Sequence, residues 1–327
     1  MRQIKWGVMG TAYIFERDTA EGMRQAENCQ LYAIAGRSME KALQFKERYG
    51  FEKAYGSYEE LLEDPDVEAV YIPLPNTMHV EWTIKALQAK KHVLCEKPLA
   101  PSAELAAEMF ETAKENGVYL MEAFAYQHSP YMAALENEVS EGNIGDPIFV
   151  TSSFFTSDYL KTNIRMRRET LGGALYDLGV YNCSFTLRVL GQEPEKVQAV
   201  GNFSDEHIDK YTTAFMEYVN GVHAEITCGM LLATEKNVAM DHFQIHGTKG
   251  YIEDVVFGFN MPGELSYRIK WYDGSEEVKT VYCPQNYQLE VEQLGRCILE
   301  GEKPFVTEEF SMANARTIDK ILKEIGY

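Results

Sequence analysis

Short apolar runs alternate with amphipathic stretches through the first 120 residues, which predicts parallel strands joined by crossover helices. Ile4 to Met9 is a first strand closed by Gly10-Thr11-Ala12, and a helix from about Tyr13 to Glu27 follows, with Asp18-Thr19-Ala20 as a point of interruption. Leu31 to Ala35 is a second strand. Ser38 and Ser57 then stand where N-caps are wanted, each with an acid in the following turn. Val67 to Pro73 reads as a buried strand ended by Leu74-Pro75-Asn76, and a helix covers about Thr77 to Lys90. His92 to Cys95 is the next strand, stopped by Glu96-Lys97-Pro98. Ser102 opens a helix to about Asn116, and Val118 to Met121 makes at least a fifth strand.

Past about Glu122 the pattern changes. A helix over Ser129–Glu141 leads into the turn cluster Gly142 to Pro147. Strand-like runs follow at Ile148–Phe155, Lys196–Phe203, Tyr211–Val219, Val222–Cys228, His242–His246 and Gly250–Val256. Asn220-Gly221 is a strong hairpin signal, and Gly247 to Gly250 is a second turn. A helix is expected near residues 173–190, and two amphipathic helices, Asn286–Glu300 and Glu308–Ile325, finish the chain. The expected organisation is an α/β domain over 1–121 and an α+β domain with a mostly antiparallel sheet over 122–327. The last helix is free to pack back on the first domain.

Composition narrows the classes. The 327 residues are 45% hydrophobic and 25% charged, enough for two domains with substantial cores. Lys and Arg number 31 against 50 Asp and Glu, and the net charge of −19 argues against nucleic-acid and anionic-membrane partners. Six scattered cysteines show no CxxC pair, so a zinc ribbon or a disulfide scaffold is poorly supported. No run of about 18 apolar residues marks a membrane span. A reduced cytoplasmic protein is the expectation.

The strand–turn–helix at Gly10-Thr11-Ala12-Tyr13-Ile14-Phe15 stands where a Rossmann fingerprint would be. Gly10 supplies the tight turn. Ala12 replaces the second glycine, and Phe15 the small third residue, so the turn alone is equally an ordinary strand–helix connection. The tip of the second strand carries Gly36-Arg37-Ser38 and no acid. A guanidinium there suits a 2′-phosphate, which favours NADP over NAD. The plain alternatives are a solvated Arg37 and a Ser38 that only caps its helix.

Four segments together resemble a known family: the Gly10 turn, Tyr71 to His79, Glu96-Lys97-Pro98, and Gly172-Gly173-Ala174-Leu175-Tyr176-Asp177-Leu178-Gly179-Val180-Tyr181. In this order they are similar to the glucose–fructose oxidoreductase/inositol dehydrogenase (Gfo/Idh/MocA) family, nearest its dihydrodiol and NADP-linked sugar dehydrogenase branch. The resemblance implies a doubly wound Rossmann domain, a C-terminal domain with a large open sheet, an active site in the cleft between them, and a homodimer or higher oligomer through that sheet. It implies catalytic residues Lys97, Asp177 and Tyr181. It also implies cofactor contacts from the Gly10–Ile14 turn, Pro75, Asn76, His79, Glu96 and Lys97, and a sugar, polyol or cyclic diol as substrate, held by Lys97, Asp177 and Tyr181.

These residue types suit hydride transfer. Lys97 follows a strand's carboxyl end, where open α/β sheets bind ligands, and its ammonium can hold a developing alkoxide. Pro98 beyond it is a candidate cis proline. Asp177 and Tyr181 are spaced i, i+4 behind a glycine pair that permits close approach. A free phenol has a pKa near 10, which a cation lowers and an anion raises. In one assignment Tyr181 exchanges the proton, Lys97 polarises the oxygen and Asp177 orients them; in another Lys97 is itself the acid/base. Arg165 is a candidate for substrate hydroxyls or a cofactor phosphate. Arg167 and Arg168 read as solvated, and His79 reads equally as a residue packed at a helix start. His242 and His246 lack a third ligand nearby, which disfavours zinc. A non-catalytic NADP-binding sensor and an NAD-assisted glycosidase are the competing classes.

Overall fold

The computed structural model describes residues 2–157, 163–232 and 239–327. Two segments expected to carry specificity, around 155–170 and 230–240, lie partly outside the described residues. The chain divides into two compact units, Met1–His128 with Pro284–Ser311, and Ser129–Cys283 with Met312–Tyr327.

The first unit contains strands β1 (Ile4–Met9), β2 (Cys29–Ala35), β3 (Lys53–Tyr55), β4 (Ala69–Ile72), β5 (His92–Glu96) and β6 (Leu120–Ala123). Their order is β3-β2-β1-β4-β5-β6, all parallel. This is the doubly wound order, and it reverses between β1 and β4. The strands are near-continuously apolar because helices cover such sheets on both faces. Those helices are α1 (Ala20–Gln25), α2 (Met39–Tyr49), α3 (Tyr58–Glu63), α4 (His79–Gln88) and α5 (Ala103–Asn116). Ser38, Ser57 and Ser102 cap α2, α3 and α5, accepting from the N–H of Lys41, Glu60 and Leu105. The expected interruption in the first helix is a wide π-type turn at Phe15–Thr19 that runs straight into α1.

Phe15 explains the departure from the small-residue fingerprint. Its ring is fully buried against Phe45, Tyr49 and Phe51, with centroids 6.2, 5.1 and 5.8 Å away. The position of the small residue is taken by an aromatic cluster that joins the first helix to α2.

The second unit contains α6 (Pro130–Ser140), β7 (Pro147–Ser157), α7 (Val180–Leu190), β8 (Lys196–Phe203), β9 (Asp209–Glu217), β10 (His223–Leu232), β11 (Ala239–Gly247), β12 (Gly250–Val256), β13 (Gly263–Trp271) and β14 (Glu276–Cys283). They form one eight-stranded sheet, ordered β14-β13-β12-β11-β7-β10-β9-β8, antiparallel except at β7/β10. The β9–β10 hairpin turns at Asn220-Gly221, both with positive φ (75° and 74°), as the sequence requires. One face carries α7, where Asn182 donates to Ser152 at 2.8 Å. On the other face lies a depression of about 470 Å³ lined by Thr151, Ser153, Glu225, Thr227, His242 and Gln244. Side chains alternate across a strand, so this depression is on the side away from α7.

Two helices follow, α8 (Asn286–Glu300) and α9 (Glu308–Ile325). Residues 284–311 belong to the first unit, and there α8 packs on α1 so closely that a Cβ at Gly22 would overlap Tyr287. Among the described residues no helix is long and apolar enough to cross a membrane.

Candidate functional site

The nucleotide-facing end of the first unit is built at the carboxyl ends of β1 and β4. Gly10 has φ of 119° and its N–H bonds the Ala35 carbonyl at 2.8 Å, so the chain leaves β1 in a conformation that glycine alone adopts cheaply. Thr11, Ala12 and Ile14 are half-buried and Tyr13 is exposed. Gly36 faces Thr11 across the ends of β1 and β2, and Arg37 beyond it is exposed. Ser38 is occupied as the cap of α2, accepting from Lys41 at 3.4 Å, which realises the plainer of its two readings while leaving its hydroxyl proton free of that bond. A glycine turn at the point of strand-order reversal, a methyl-only Ala12, and a cation without a competing acid at the β2 tip together fit a phosphorylated dinucleotide. Gly10 to Ile14 would hold the pyrophosphate, and Arg37 with Ser38 the adenosine ribose.

Lys97 follows β5 directly. Its peptide bond to Pro98 is cis, and the peptide group that follows, Pro98–Leu99, is tied down at both its carbonyl and its N–H. Glu122 at the end of β6 accepts the Leu99 N–H at 2.9 Å. His79, expected beside the nicotinamide ribose or packed at a helix start, takes the second place: it is fully buried, with Nδ1 2.8 Å from the Pro98 carbonyl and Nε2 2.8 Å from the Leu74 carbonyl. Both ring nitrogens are thus used inside the protein, so the ring is not presented to a ligand. Burial lowers its pKa against two carbonyl acceptors that favour the protonated ring. His79 therefore staples the turn after β4 to the Lys97 turn. Pro75 and Asn76 remain half-exposed on that turn.

Glu96, the other polar member of the motif, accepts from the Tyr71 hydroxyl at 2.6 Å, and Tyr71 is bonded to Thr19 at 3.0 Å. Burial raises the Glu96 pKa, while Lys97 and Tyr71 oppose the rise. Glu122 is 3% exposed and its pKa is pushed up to about 7, first by burial, against hydrogen bonds from Ser311 and Leu99 and the charge of Lys97.

The Glu122 shift has a measurable sign. An acid whose folded pKa lies above its ordinary value binds more protons folded than unfolded, so the protein loses stability as pH rises through the window from 4.5 to about 7. The isosteric Glu122→Gln keeps the acceptor for Leu99 and lacks the titration. Relative to wild type, the variant is expected to gain about 3 kcal/mol between roughly pH 4 and pH 8. Urea unfolding of both proteins across that range tests this, and a flat difference contradicts it.

In the second unit, a glycine pair turns the chain into the helix that bears the remaining candidate residues. A Cβ at Gly172 would overlap the Arg165 carbonyl, and one at Gly173 (φ 124°) would overlap Asp209. Asp209 is a residue sequence reasoning missed. It is fully buried, accepts from the Leu175 N–H at 2.8 Å and from Thr212 at 2.7 Å, and burial raises its pKa to about 6. It anchors the start of the π-type turn Leu175–Gly179, which continues into α7, while Leu178 and Ala174 pack with Ile208, Cys228 and Met230.

Asp177 lies in that turn and Tyr181 in the first turn of α7, each held from elsewhere. Arg165 donates from Nε to Asp177 at 2.8 Å, so the arginine expected on a ligand is paired with the carboxylate. Asn260 donates to the Tyr181 hydroxyl at 3.1 Å. Arg168, expected to be solvated, instead lies over the Tyr327 ring at 3.7 Å and donates to the His207 carbonyl, because Tyr327 offers a π face and His207 a carbonyl within reach. Arg167 bonds Glu169.

Comparison with known proteins places these features. Residues 4–124 match the model of the oxidoreductase family with an NAD-binding Rossmann fold, and residues 132–253 match the GFO/IDH/MocA C-terminal domain. The chain is 31% identical to trans-1,2-dihydrobenzene-1,2-diol dehydrogenase of Xenopus tropicalis, over 98% of each chain. It is 33% identical to D-xylose 1-dehydrogenase (NADP(+)) 2 of Haloferax volcanii, over 97% of this chain and 95% of that protein. The crystal structure of a 3-ketoreductase from Actinomadura kijaniata in complex with NADP and TDP-benzene superposes with a TM-score of 0.91 at 30% identity, covering 99% of this chain and 98% of that one. With both domains matched, a reversed-order parallel sheet and a glycine turn at its switch point, the chain belongs to the GFO/IDH/MocA family of NAD(P)-dependent oxidoreductases.

Proposed function

We propose that this enzyme moves hydride between NADP and a secondary alcohol or carbonyl carbon of a sugar, polyol or cyclic diol. The observation that carries the reading is the Lys97 turn, an ammonium at the carboxyl end of β5 whose following residues are clamped by His79 and Glu122. Relatives named for D-xylose and for a dihydrodiol support the substrate class. The exposed Arg37 at the acid-free β2 tip supports NADP over NAD, as does the NADP named for one relative and one solved structure.

NADP held by the Gly10–Ile14 turn, Arg37 and Ser38 would supply the hydride acceptor or donor. Lys97 bonds the substrate oxygen and stabilises the negative charge that develops there. Tyr181 exchanges the proton of that oxygen. Asp177, neutralised by Arg165, orients substrate hydroxyls beside it. A panel of aldoses and 1,2-diols, including D-xylose and trans-cyclohexane-1,2-diol, followed by NADPH absorbance with NADP+ and then with NAD+, tests the reading. Turnover preferring NADP+ is expected; tight NADPH binding with no turnover on any member would favour a sensor.

The sheet face away from α7 carries exposed Val200, Phe215 and Val278, which supports a homodimer through it. A solution mass of one chain by light scattering would refute that arrangement. Six buried, unpaired cysteines support a reducing, cytoplasmic location.

A further inference from the structure

The loop between β12 and β13 passes Tyr181 and brings an amide to its hydroxyl. The Tyr181 ring is boxed by Phe154, edge-on at 5.5 Å, and Phe259, tilted at 5.3 Å. Phe259 is 3% exposed and Tyr181 9% exposed, so the phenol oxygen stands in largely apolar surroundings. Into this box Asn260, the residue after Phe259, points its Nδ2 at the Tyr181 hydroxyl, 3.1 Å away. The Oδ1 of the same amide is buried with no hydrogen-bond partner among the described residues. Among the described residues, the charged groups nearby include the Asp177–Arg165 pair on the preceding turn and Asp241 of β11. The Asp241 carboxylate accepts the Phe259 N–H at 2.8 Å.

We propose that Asn260 is a positioning residue for proton exchange at Tyr181, rather than a packing residue of the loop. The proposal rests on the reading of Tyr181 as the group that exchanges the substrate proton. An amide nitrogen only donates, so in this bond the phenol oxygen accepts and its own hydrogen is left out of the bond. Turned over, the same amide would accept the phenol proton and withdraw it from exchange.

In the reducing direction the substrate carbonyl carbon gains the hydride, and the carbonyl π pair moves to oxygen. That oxygen then takes the phenol proton. The Tyr181 O–H bond breaks with its electron pair retained on the phenolate, which Asn260 holds by a charge-assisted hydrogen bond. In the oxidising direction the same phenolate takes the hydroxyl proton back. A hydrogen bond to the charged form favours that form, and apolar rings beside it give such a bond more weight.

The test reads Tyr181 without substrate. In protein with isotope-labelled tyrosine, the Tyr181 NMR resonance, assigned by its loss in Tyr181→Phe, is titrated in wild type, Asn260→Leu and Asn260→Asp. Leucine keeps the volume and removes the donor; aspartate keeps the shape and offers only acceptors. The titration midpoint is expected to rise by about one unit or more in Asn260→Leu, given what a hydrogen bond to a charged group contributes, and further in Asn260→Asp. With the best substrate of the panel, kcat for oxidation near neutral pH should fall about 10- to 100-fold in Asn260→Leu, with KM little changed. The same substitution in a Tyr181→Phe background should cost nothing more. Wild-type midpoints in both Asn260 variants overturn the proposal even if Tyr181→Phe is inactive, whereas a fully active Tyr181→Phe overturns the reading beneath it.

Discussion

Lys97→Met is expected to lower kcat by about 10²–10³-fold while leaving NADPH binding and the unfolding midpoint close to wild type. Methionine keeps the length of the stem and removes the ammonium, so the clamps on the following peptide are untouched: Glu122 still receives the Leu99 N–H and His79 still bonds the Pro98 carbonyl. What disappears is the charge that meets the developing alkoxide. Because that charge grows toward the transition state, the loss should fall mainly on kcat and less on KM. Lys97→Arg should not restore activity, since a planar fork on a longer stem does not reproduce a point charge. Steady-state kinetics beside NADPH fluorescence titration make the comparison, and turnover within a few-fold of wild type would remove Lys97 from the chemistry.

Tyr181→Phe is expected to cost about 10²–10⁴-fold in kcat, the usual contribution of a positioned acid or base. The ring that packs between Phe154 and Phe259 is unchanged, and losing the Asn260 hydrogen bond should cost folding about 1 kcal/mol. The pH profile separates the two assignments of the proton carrier. If Tyr181 exchanges the proton, the profile of kcat/KM loses its phenol-dependent limb in Tyr181→Phe and keeps it in Lys97→Met. If Lys97 exchanges it, the pattern is reversed. Retention of the limb in both variants would assign the proton to neither residue.

Much of this architecture is legible in the sequence because local rules and tertiary outcome agree. Ser38, Ser57 and Ser102 are written as caps and act as caps, and Asn220-Gly221 is written as a hairpin turn and is one. The strands that escape notice are β3, β13 and β14. β3 has three residues, all half-buried, and β14 is an edge strand whose first residues are exposed and charged. Hydrogen bonding to one neighbour holds such segments, and that leaves little hydrophobic alternation to read. β13 does alternate, burying Leu265, Tyr267 and Ile269, but its start is hidden behind Pro262-Gly263.

The site divides in the same way. Lys97, Asp177 and Tyr181 are candidates through the company they keep in short motifs. The residues that hold the turns bearing them are not: Asp209 is 34 positions from the Leu175 N–H it accepts, Glu122 is 23 from Leu99, and Asn260 is 79 from Tyr181. No periodicity links such pairs. His79 shows the converse: its motif is visible in the sequence, but which of its two readings holds depends on its burial, which is not.

One consequence concerns any attempt to take the enzyme apart. The polypeptide leaves the dinucleotide-binding unit after His128 and contributes Pro284–Ser311 to it again. Gly22 is a notch shaped for Tyr287, and Asn28 donates to the Glu292 carbonyl at 2.8 Å, both partners arriving more than 260 residues later. A fragment ending at residue 128 would therefore present an apolar scar where that returning helix belongs. Limited proteolysis or gene dissection at that linker should yield pieces that stay associated or aggregate, never a free-standing nucleotide module.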